Sequence, residues 1–536
     1  MERGFGRFAV SCAALAFASS GCAWISRASV STGGAESHPA GRAETVLDDA
    51  DADGRFVVFT SDAPDLVPGD TNAAHDVFIR DGLTGTVERV SVASGGDQAD
   101  AGSSSGAVSG DGRYVAFVSE ATNLVAGDTN GFADIFLRDR TLGTTARVNT
   151  GVYGAEANDV SYSPRISADA KWVLYTSWAT NIVSGDTNYS PDVFLLDRST
   201  GQRRRVSTRN GGGQSDYGGD FGDLSDDGNY IVFSSESTNI VAGDGEGIDV
   251  YLRDRANGGV SLVSNSEMGW PADEDSDMPV ISGDGRYVAF HSDADLIASD
   301  GNGWTDVYVW DRVTASLELA SVASDGSLAD QGGMEPSISD DGRFVAFESY
   351  STNLTPESPG DDSDVFVHDR VTGETNRASE SILGGEAISA DPSFSGSFGA
   401  VLSGDGRKVA FTSFAENLVP GDTNSSADVF TREVLEPVVT GVAPPAVAAG
   451  GSATITVSGK HFVDGATVMI DGTGGITVDS VTFVSAEQLD VQVHASPGST
   501  AGSYSLFVLN PTPLTAVPGG PYGAGAACWG CVAVTP

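Results

Sequence analysis

The feature that most constrains the fold is a short phrase, Asp-Gly-Arg-Tyr-Val-Ala-Phe with variants, that recurs along the chain at nearly regular spacing. Its seven copies are 57 to 64 residues apart and begin at Asp53, Asp111, Asp169, Asp227, Asp284, Asp341 and Asp405. A repeat of this length indicates one supersecondary unit that is stacked many times, so that neighbouring units cover each other's apolar faces.

Every unit is predicted to contain four short strands. In the second unit these are residues 103–109, 113–119, 133–139 and 146–150, and Asp111-Gly112 marks the hairpin between the first two. The second strand is apolar on both faces, which indicates a sheet that is covered on both sides. The sequence therefore predicts an all-β fold in which residues 23–434 form a seven-bladed β-propeller. A straight solenoid is the alternative.

The last unit lacks a fourth strand, and the N-terminal segment offers one. Residues 26–34, SRASVSTGG, match residues 88–96, ERVSVASGG, which are a predicted fourth strand and its following loop. We expect residues 26–34 to complete the last blade, because this pairing closes the ring and removes an open sheet edge.

The loop between the second and third strands reads Asp-x-Asn-x-x-x-Asp in five units. Because strands alternate in direction, all of these loops are expected on one face. Oxygen ligands at positions 1, 3 and 7 suit Ca²⁺, and 74 Asp plus Glu against 29 Lys plus Arg favour cation binding. The alternative is that Asp and Asn form Asx-turns without a metal. The candidate calcium ligands are Asp70, Asn72, Asp76, Asp128, Asn130, Asp134, Asp186, Asn188, Asp192, Asp300, Asn302, Asp306, Asp422, Asn424 and Asp428.

A second phrase, Asp-Arg-x-Thr-Gly, recurs at the hairpin between the third and fourth strands, for example at Asp197 and Asp369. One interpretation is a ring of arginines that binds an anionic ligand. The other, which we favour, is turn chemistry combined with Arg–Asp pairs between blades.

These repeats resemble the TolB-like propeller family, whose units typically read S-x-D-G-R-x-(V/I)-A-F. The resemblance covers residues 26 to 433 and depends on all seven copies rather than on any single one. It implies a propeller fold and a binding role, without implying the specific task of TolB in the Tol–Pal system.

The pattern changes after residue 436. Short alternating strands over residues 437–512 predict an Ig-like β-sandwich. The stretches TITVSGKHF, GATV and AGSYSLFVLNP are similar to the IPT/TIG family, which implies a spacer or adhesion module. Residues 513–536 are rich in Gly, Ala and Pro and are predicted to be a flexible tail, in which Cys528 and Cys531 are expected to form a local disulfide.

The N-terminal residues 1–22 have the features of a signal peptide. Arg3 and Arg7 precede an apolar stretch, residues 8–17, that is too short to span a bilayer. Lipidation of Cys22 is the alternative to ordinary cleavage. We therefore expect an exported protein, secreted, periplasmic or associated with the outer membrane. We also expect a monomer without a transmembrane helix, whose net charge of −45 disfavours nucleic acid as a partner.

No catalytic set is recognisable in the sequence. The six histidines form no H-x-H or H-E-x-x-H pattern, and there is neither a nucleophile elbow nor a Walker A loop. We therefore predict a non-catalytic protein whose loop-rich face, stabilised by Ca²⁺, binds a protein or glycan at the cell envelope. The alternative is a carbohydrate-active enzyme with acidic residues at the mouth of the propeller channel.

Overall fold

The computed structural model describes residues 25–38, 45–243, 246–356, 362–381, 385–389, 395–434, 437–463, 465–470, 475–509 and 525–535. The predicted signal peptide and Cys22 lie outside these ranges. Contacts divide the chain into two compact units, one that comprises residues 26–380 and 386–431 and one that includes the chain from Arg432 onward. Among the described residues, no helix is both long and apolar enough to cross a membrane.

The larger unit consists of four-stranded antiparallel sheets, here called blades 1 to 7. Strand β1 (Ile25–Arg27) comes first in the chain and belongs to blade 7. Blade 1 contains β2 (Val46–Ala50), β3 (Phe56–Ser61), β4 (Asp76–Asp81) and β5 (Thr86–Arg89). Blade 2 contains β6 (Ser103–Val108), β7 (Tyr114–Ser119), β8 (Asp134–Asp139) and β9 (Thr144–Arg147), followed by a 3₁₀ turn, Val152–Gly154. Blade 3 contains β10 (Ser161–Ile166), β11 (Trp172–Ser177), β12 (Asp192–Asp197) and β13 (Gln202–Arg205).

The remaining blades repeat this order. Blade 4 contains β14 (Asp220–Leu224), β15 (Tyr230–Ser235), β16 (Asp249–Asp254) and β17 (Val260–Leu262). Blade 5 contains β18 (Ser276–Ile281), β19 (Tyr287–Ser292), β20 (Asp306–Asp311) and β21 (Ser316–Leu319). Blade 6 contains β22 (Met334–Ile338), β23 (Phe344–Ser349), β24 (Asp364–Asp369) and β25 (Glu374–Arg377). Blade 7 contains β26 (Ser397–Leu402), β27 (Lys408–Ser413), β28 (Asp428–Glu433) and β1.

The central strands of each blade are buried because both faces of every sheet are covered. All six residues of β3, for example, are buried. An aromatic pair joins the second and third strands of each blade, with ring centroids 5.6 to 5.9 Å apart, as for Phe59 with Phe78 and Phe411 with Phe430. These rings form the repeated core between neighbouring blades. The prediction of an all-β propeller followed by a sandwich is confirmed.

The ring closes through the N-terminal strand. The innermost strands contact one another in the order β2, β6, β10, β14, β18, β22 and β26, and β26 contacts β2 again. Strand β1 pairs with β28 at the outer edge of blade 7, and the Ala28 N–H donates to the Val429 carbonyl at 2.6 Å. This is the closure that the match between residues 26–34 and 88–96 predicted.

Each innermost strand contains an irregularity where it pairs with the second strand. In six blades the irregularity includes a residue at positive φ, namely Ser105, Ser163, Phe221, Met278, Glu335 or Gly399. A bulge of this kind redirects side chains. Five of these residues, together with Asp48 of blade 1, line the cavity of the central channel.

The C-terminal unit is a β-sandwich. One sheet has the order β29 (Val438–Ala443), β31 (Ser452–Lys460), β34 (Gln488–Ala495), β33 (Ile476–Ser485), and the other has the order β30 (Ala446–Ala448), β36 (Gly525–Thr535), β35 (Gly502–Leu509), β32 (Thr467–Ile470). The prediction of a flexible tail is wrong for residues 525–535. They form β36 because β35 and β30 would otherwise each leave an unpaired edge, and Val532 and Val534 are buried in the core.

Candidate binding face and central channel

The propeller has two different faces because its strands alternate in direction. We call loop face the side formed by the segments that join the second and third strands and by those that join successive blades. We call turn face the side formed by the turns between the first and second strands and the hairpins between the third and fourth. All of the candidate calcium ligands lie on the loop face or at the strand ends that border it.

The structure brings the three predicted ligand positions together, around an arginine. In blade 1 the Arg89 Nη1 lies 3.2 Å from the Asp70 Oδ1 and 3.1 Å from the Asp76 Oδ2. The Asn72 amide donates to the Asp76 Oδ2 at 3.2 Å. A guanidinium therefore supplies positive charge at the point where the sequence predicts a cation.

The pairing of an arginine with the aspartate at the start of the third strand recurs in four further blades. The arginine stands near the end of the outermost strand, or in β1, and contacts the aspartate at the start of the third strand; these residues are Arg27, Arg147, Arg205 and Arg377. Two residues later a Ser or Asn donates to the other oxygen of that aspartate, as Ser91 does to Asp76 at 2.5 Å and Asn149 does to Asp134 at 2.6 Å. Sequence analysis missed this partner, although Arg-x-Ser/Asn recurs in register with the loops.

The asparagine at position 3 of the acidic loops forms hydrogen bonds within the protein. The Asn72 Oδ1 accepts the Ala74 N–H at 3.1 Å, which is an Asx-turn, and its amide also donates to the Ala99 carbonyl at 3.1 Å. Asn130, Asn302 and Asn424 repeat both contacts. These asparagines thereby tie each acidic loop to the segment that leads into the next blade.

Blade 5 differs because Leu319 stands where five other blades have the arginine. Its aspartates have only neutral partners among the described hydrogen bonds: Ser321 donates to the Asp306 Oδ1 at 2.5 Å, Asn302 donates to the Asp306 Oδ2 at 2.7 Å, and the Tyr308 hydroxyl donates to Asp300. Burial raises the pKa of Asp306 to about 7. Of the five candidate loops, this is the one whose Asp oxygens have no guanidinium partner among the described contacts.

The acidic group of blade 7 brings three carboxylates close together. Ligand atoms of Glu36, Asp422 and Asp428 lie within 4.8 Å of one another, and the Arg27 Nη1 lies 2.9 to 3.0 Å from all three carboxylates. Burial raises the pKa of Asp422 to about 7. Like the arginines of blades 1, 2, 3 and 6, Arg27 compensates the charge that a metal would otherwise balance. Calcium binding by the fifteen predicted ligands stays a prediction.

The loop face also exposes aromatic side chains. We call aromatic arc the set Phe132, Tyr153, Trp178, Tyr189, Tyr217, Trp270, Trp304 and Tyr350, whose exposed fractions run from 37% to 107%. Every member lies in a loop-face segment. The large apolar residues exposed in the turn-face hairpins are the aliphatic Leu142, Val313 and Val371. Exposed aromatic groups are typical of binding surfaces.

On the turn face the recurring arginines stack on aromatic rings and pair with aspartates of the protein. The guanidinium of Arg113 lies 4.8 Å from the Tyr114 ring centroid, and that of Arg198, from the hairpin of the next blade, lies 4.1 Å away. Arg113 also forms a two-pronged pair with Asp139, at 2.7 and 3.0 Å. These contacts support structural pairing rather than a ring of arginines for an anionic ligand.

The central channel contains a cavity of about 390 Å³ with an acidic lining. Asp48, Asp49, Asp223 and Asp340 line it, and Arg165, which lies 3.9 Å from Asp223, is the one Lys or Arg in the lining. Burial raises the pKa of Asp48 to about 7 and that of Asp49 to about 6. A channel of this kind suits a cationic or hydroxylated ligand better than an anion.

Two of the channel carboxylates face each other across a glycine. A Cβ on Gly283 would lie 2.6 Å from both the Asp226 Oδ2 and the Asp340 Oδ1. Burial and the neighbouring Asp226 charge raise the pKa of Asp340 to about 7. Burial also raises the pKa of Asp226. A pair of close carboxylates is an arrangement that acid–base chemistry can use.

Comparison with known proteins identifies the C-terminal unit first. Residues 437–522 match the family model of the IPT/TIG domain, which confirms the resemblance that the sequence showed. The match extends ten residues beyond the predicted domain end at 512. A search of curated proteins found no match.

Solved structures show similarity to the propeller fold. A protein assigned as TolB from Agrobacterium tumefaciens is 16% identical with a TM-score of 0.36, covering 65% of this chain and 94% of that one. The WD40 repeats of RRP9 are 9% identical with a TM-score of 0.38, covering 74% and 99%. The dihydro-heme d1 dehydrogenase NirN, in complex with DHE, is 13% identical with a TM-score of 0.36, covering 73% of each chain. These scores carry no functional information.

Proposed function

We propose that this chain is an exported, non-catalytic binding protein whose loop face holds a protein or glycan partner at the cell envelope or outside the cell. A propeller joined to an IPT/TIG domain suggests a binding or scaffold role. The observation that carries the proposal is the aromatic arc, because all of its members lie on one face. Tyr and Trp provide large contact areas at little cost in side-chain entropy.

A capture experiment tests this proposal. The full chain, immobilised, is exposed to an envelope extract of the producing cells, in parallel with a variant that carries Tyr189→Ala, Trp270→Ser and Trp304→Ser. Other blades have these smaller residues at the equivalent positions: Ala73 corresponds to Tyr189, Ser327 to Trp270 and Ser426 to Trp304. A partner that the wild type retains and the variant loses supports the proposal. Equal retention by both proteins contradicts it.

Calcium binding is a second part of the proposal, and blade 5 is the loop that we expect to hold the ion. Asp300, Asn302 and Asp306 supply oxygen ligands there. Leu319 replaces the arginine that balances the charge of the aspartates in five other blades. Binding only to the folded state raises the melting temperature, by at least about 2 °C in millimolar Ca²⁺ relative to EDTA. Leu319→Arg should abolish this response by restoring the guanidinium of the other blades, whereas Leu319→Met should keep it.

A carbohydrate-active enzyme is the alternative function, and the pairing of Asp226 with Asp340 is the observation that favours it. A pair of carboxylates can serve as acid and nucleophile or base in glycoside hydrolysis. A turnover screen against polysaccharides distinguishes the two functions. Product formation that Asp340→Asn abolishes would support the enzyme, and retention of a glycan without products would support the binding protein.

A further inference from the structure

The proposed loop-face function does not specify the class of partner. Two features of the loop face, its linked aromatic segments and its negative charge, indicate which class fits. The segments that carry the aromatic arc are linked, because each segment is hydrogen-bonded to the next. The Thr129 hydroxyl donates to Glu156 at 2.7 Å, which ties the Phe132 loop to the segment that carries Tyr153. The Val152 N–H then donates to the Asn181 carbonyl at 2.9 Å, in the loop that carries Trp178 and Tyr189.

The same kind of contact continues through the next blades. The Gly219 N–H donates to the Pro191 carbonyl at 2.9 Å, which places the Tyr217 segment beside the Tyr189 loop. The Glu267 N–H donates to the Leu296 carbonyl at 2.9 Å and thereby joins the Trp270 segment to the Trp304 loop. The Gln331 amide donates to the Tyr350 carbonyl at 3.0 Å. The Tyr217 N–H donates to the Ser237 hydroxyl at 3.0 Å, the Ser276 N–H donates to the Ile248 carbonyl at 2.7 Å, and the Gly333 N–H donates to the Thr305 carbonyl at 2.8 Å. The segments that carry the rings therefore form one hydrogen-bonded series from blade 2 to blade 6.

The charge on this face is almost entirely negative. The loop-face segments from residue 62 to residue 427 contain many Asp and Glu but a single Lys or Arg, Arg209. Exposed acids such as Asp100, Asp216 and Asp330 accept hydrogen bonds from threonine hydroxyls, which do not neutralise them. The arginines that do reach the loops lie beneath them and are bound to the buried aspartates.

We infer that the aromatic arc docks a basic segment of a partner protein, rich in Arg and Lys; this inference rests on the proposed loop-face function. Guanidinium and ammonium groups stack on Trp and Tyr faces and pair with carboxylates, so one kind of side chain satisfies both features of the surface. An anionic partner, or a second copy of this chain, is repelled by the same field. A neutral glycan would use the rings but would gain nothing from the charge.

The test uses the full chain and a fluorescein-labelled peptide of alternating Arg and Gly, followed by fluorescence anisotropy. The wild type should bind this peptide at low salt and more weakly when the ionic strength rises from about 20 to about 500 mM. The peptide affinity should fall by at least about tenfold in the Tyr189→Ala, Trp270→Ser, Trp304→Ser variant. It should be unchanged in a turn-face control, Leu142→Ala with Val371→Ala. An equivalent Glu–Gly peptide should not bind.

The remaining outcomes separate this inference from the proposed function. Equal peptide affinity for the wild type and the arc variant overturns the inference, because binding would then depend on net charge alone. Binding of a labelled neutral chito-oligosaccharide that is lost in the arc variant, without binding of the Arg–Gly peptide, overturns the inference but leaves the loop-face function standing. Failure of both probes, together with equal envelope capture by the wild type and the variant, overturns both.

Discussion

At the scale of single residues, the loop face is built on buried aspartates whose charge an arginine compensates in five blades. The Arg205 Nη1 lies 3.1 Å from Asp186 and 2.9 Å from Asp192, and its side chain is 9% exposed. Burial raises the pKa of Asp192 to about 6 even with this arginine beside it. A carboxylate in such a position depends on its partner, because removing one member of a buried pair leaves an uncompensated charge.

Replacement of this arginine should therefore be costly. We expect Arg205→Met to lower the free energy of unfolding by about 3 kcal/mol at pH 8. The loss should be smaller at pH 5, where Asp192 can be protonated in the folded state. Denaturant unfolding measures both values. Arg204→Met is the matched control, since the neighbouring Arg204 is exposed. Equal effects of the two substitutions would contradict this role for Arg205.

The raised pKa of Asp306 leads to a second prediction at the scale of single residues. Because its pKa is about 7 in the folded protein and about 4 in an unfolded chain, the folded state holds the proton more tightly. Its contribution to stability is therefore complete below about pH 4 and is lost as the pH rises through about 7.

Asp306→Asn removes this dependence. The variant should gain stability relative to the wild type between pH 5 and pH 8, by an amount on the order of 2 kcal/mol, on top of any constant cost of the substitution. Denaturant unfolding at both pH values, in EDTA, measures the difference. The exposed Asp273 provides the control, Asp273→Asn. An unchanged pH dependence in the Asp306 variant would contradict the raised pKa.

At the scale of elements, β1 is the strand that closes the ring. Beyond the Ala28 N–H bond to Val429, the Ser29 hydroxyl accepts the Val429 N–H at 3.0 Å, and Arg27 contacts Asp428 at 3.0 Å. These contacts link residues that are about 400 positions apart in the chain. Loss of β1 would expose the edge of β28 and leave Asp428 without its arginine.

Deletion of residues 1–31 should thus destabilise the protein by about 3 kcal/mol or more and promote aggregation. Deletion of residues 1–23, which keeps β1, is the control. Thermal unfolding and light scattering measure the two effects. Identical melting temperatures for the two deletions would show that β1 does not hold the ring closed.

The elements were more predictable from the sequence than the sites. The hairpin phrase gave the strand count of each unit because Asp-Gly turns and apolar runs are local signals. The partners of the acidic loops were missed because they are distant in sequence: Arg89 and Ser91 lie thirteen and fifteen residues from Asp76, and Arg27 lies about 400 residues from Asp428. The strand formed by residues 525–535 was missed because its signal, partner edges on β30 and β35, exists only in the folded sandwich.

At the scale of the whole molecule, the two faces of the propeller use aromatic and charged residues differently. The turn face stacks arginines on aromatic rings between blades, as Arg255 does 3.9 Å from Trp172 and Arg312 does 3.9 Å from Tyr230. The loop face leaves its aromatic rings exposed among carboxylates. Similar residue types thus serve cohesion on one side and remain available to a partner on the other.

Hydrogen exchange of the full chain, with and without the partner captured from the envelope, tests this division most directly. The account predicts that the partner slows exchange in residues 128–133, 150–160, 178–191, 206–219, 264–275, 298–305 and 350–353, which carry the aromatic arc. Protection confined to the turn-face hairpins around Leu142, Val313 and Val371 would contradict it.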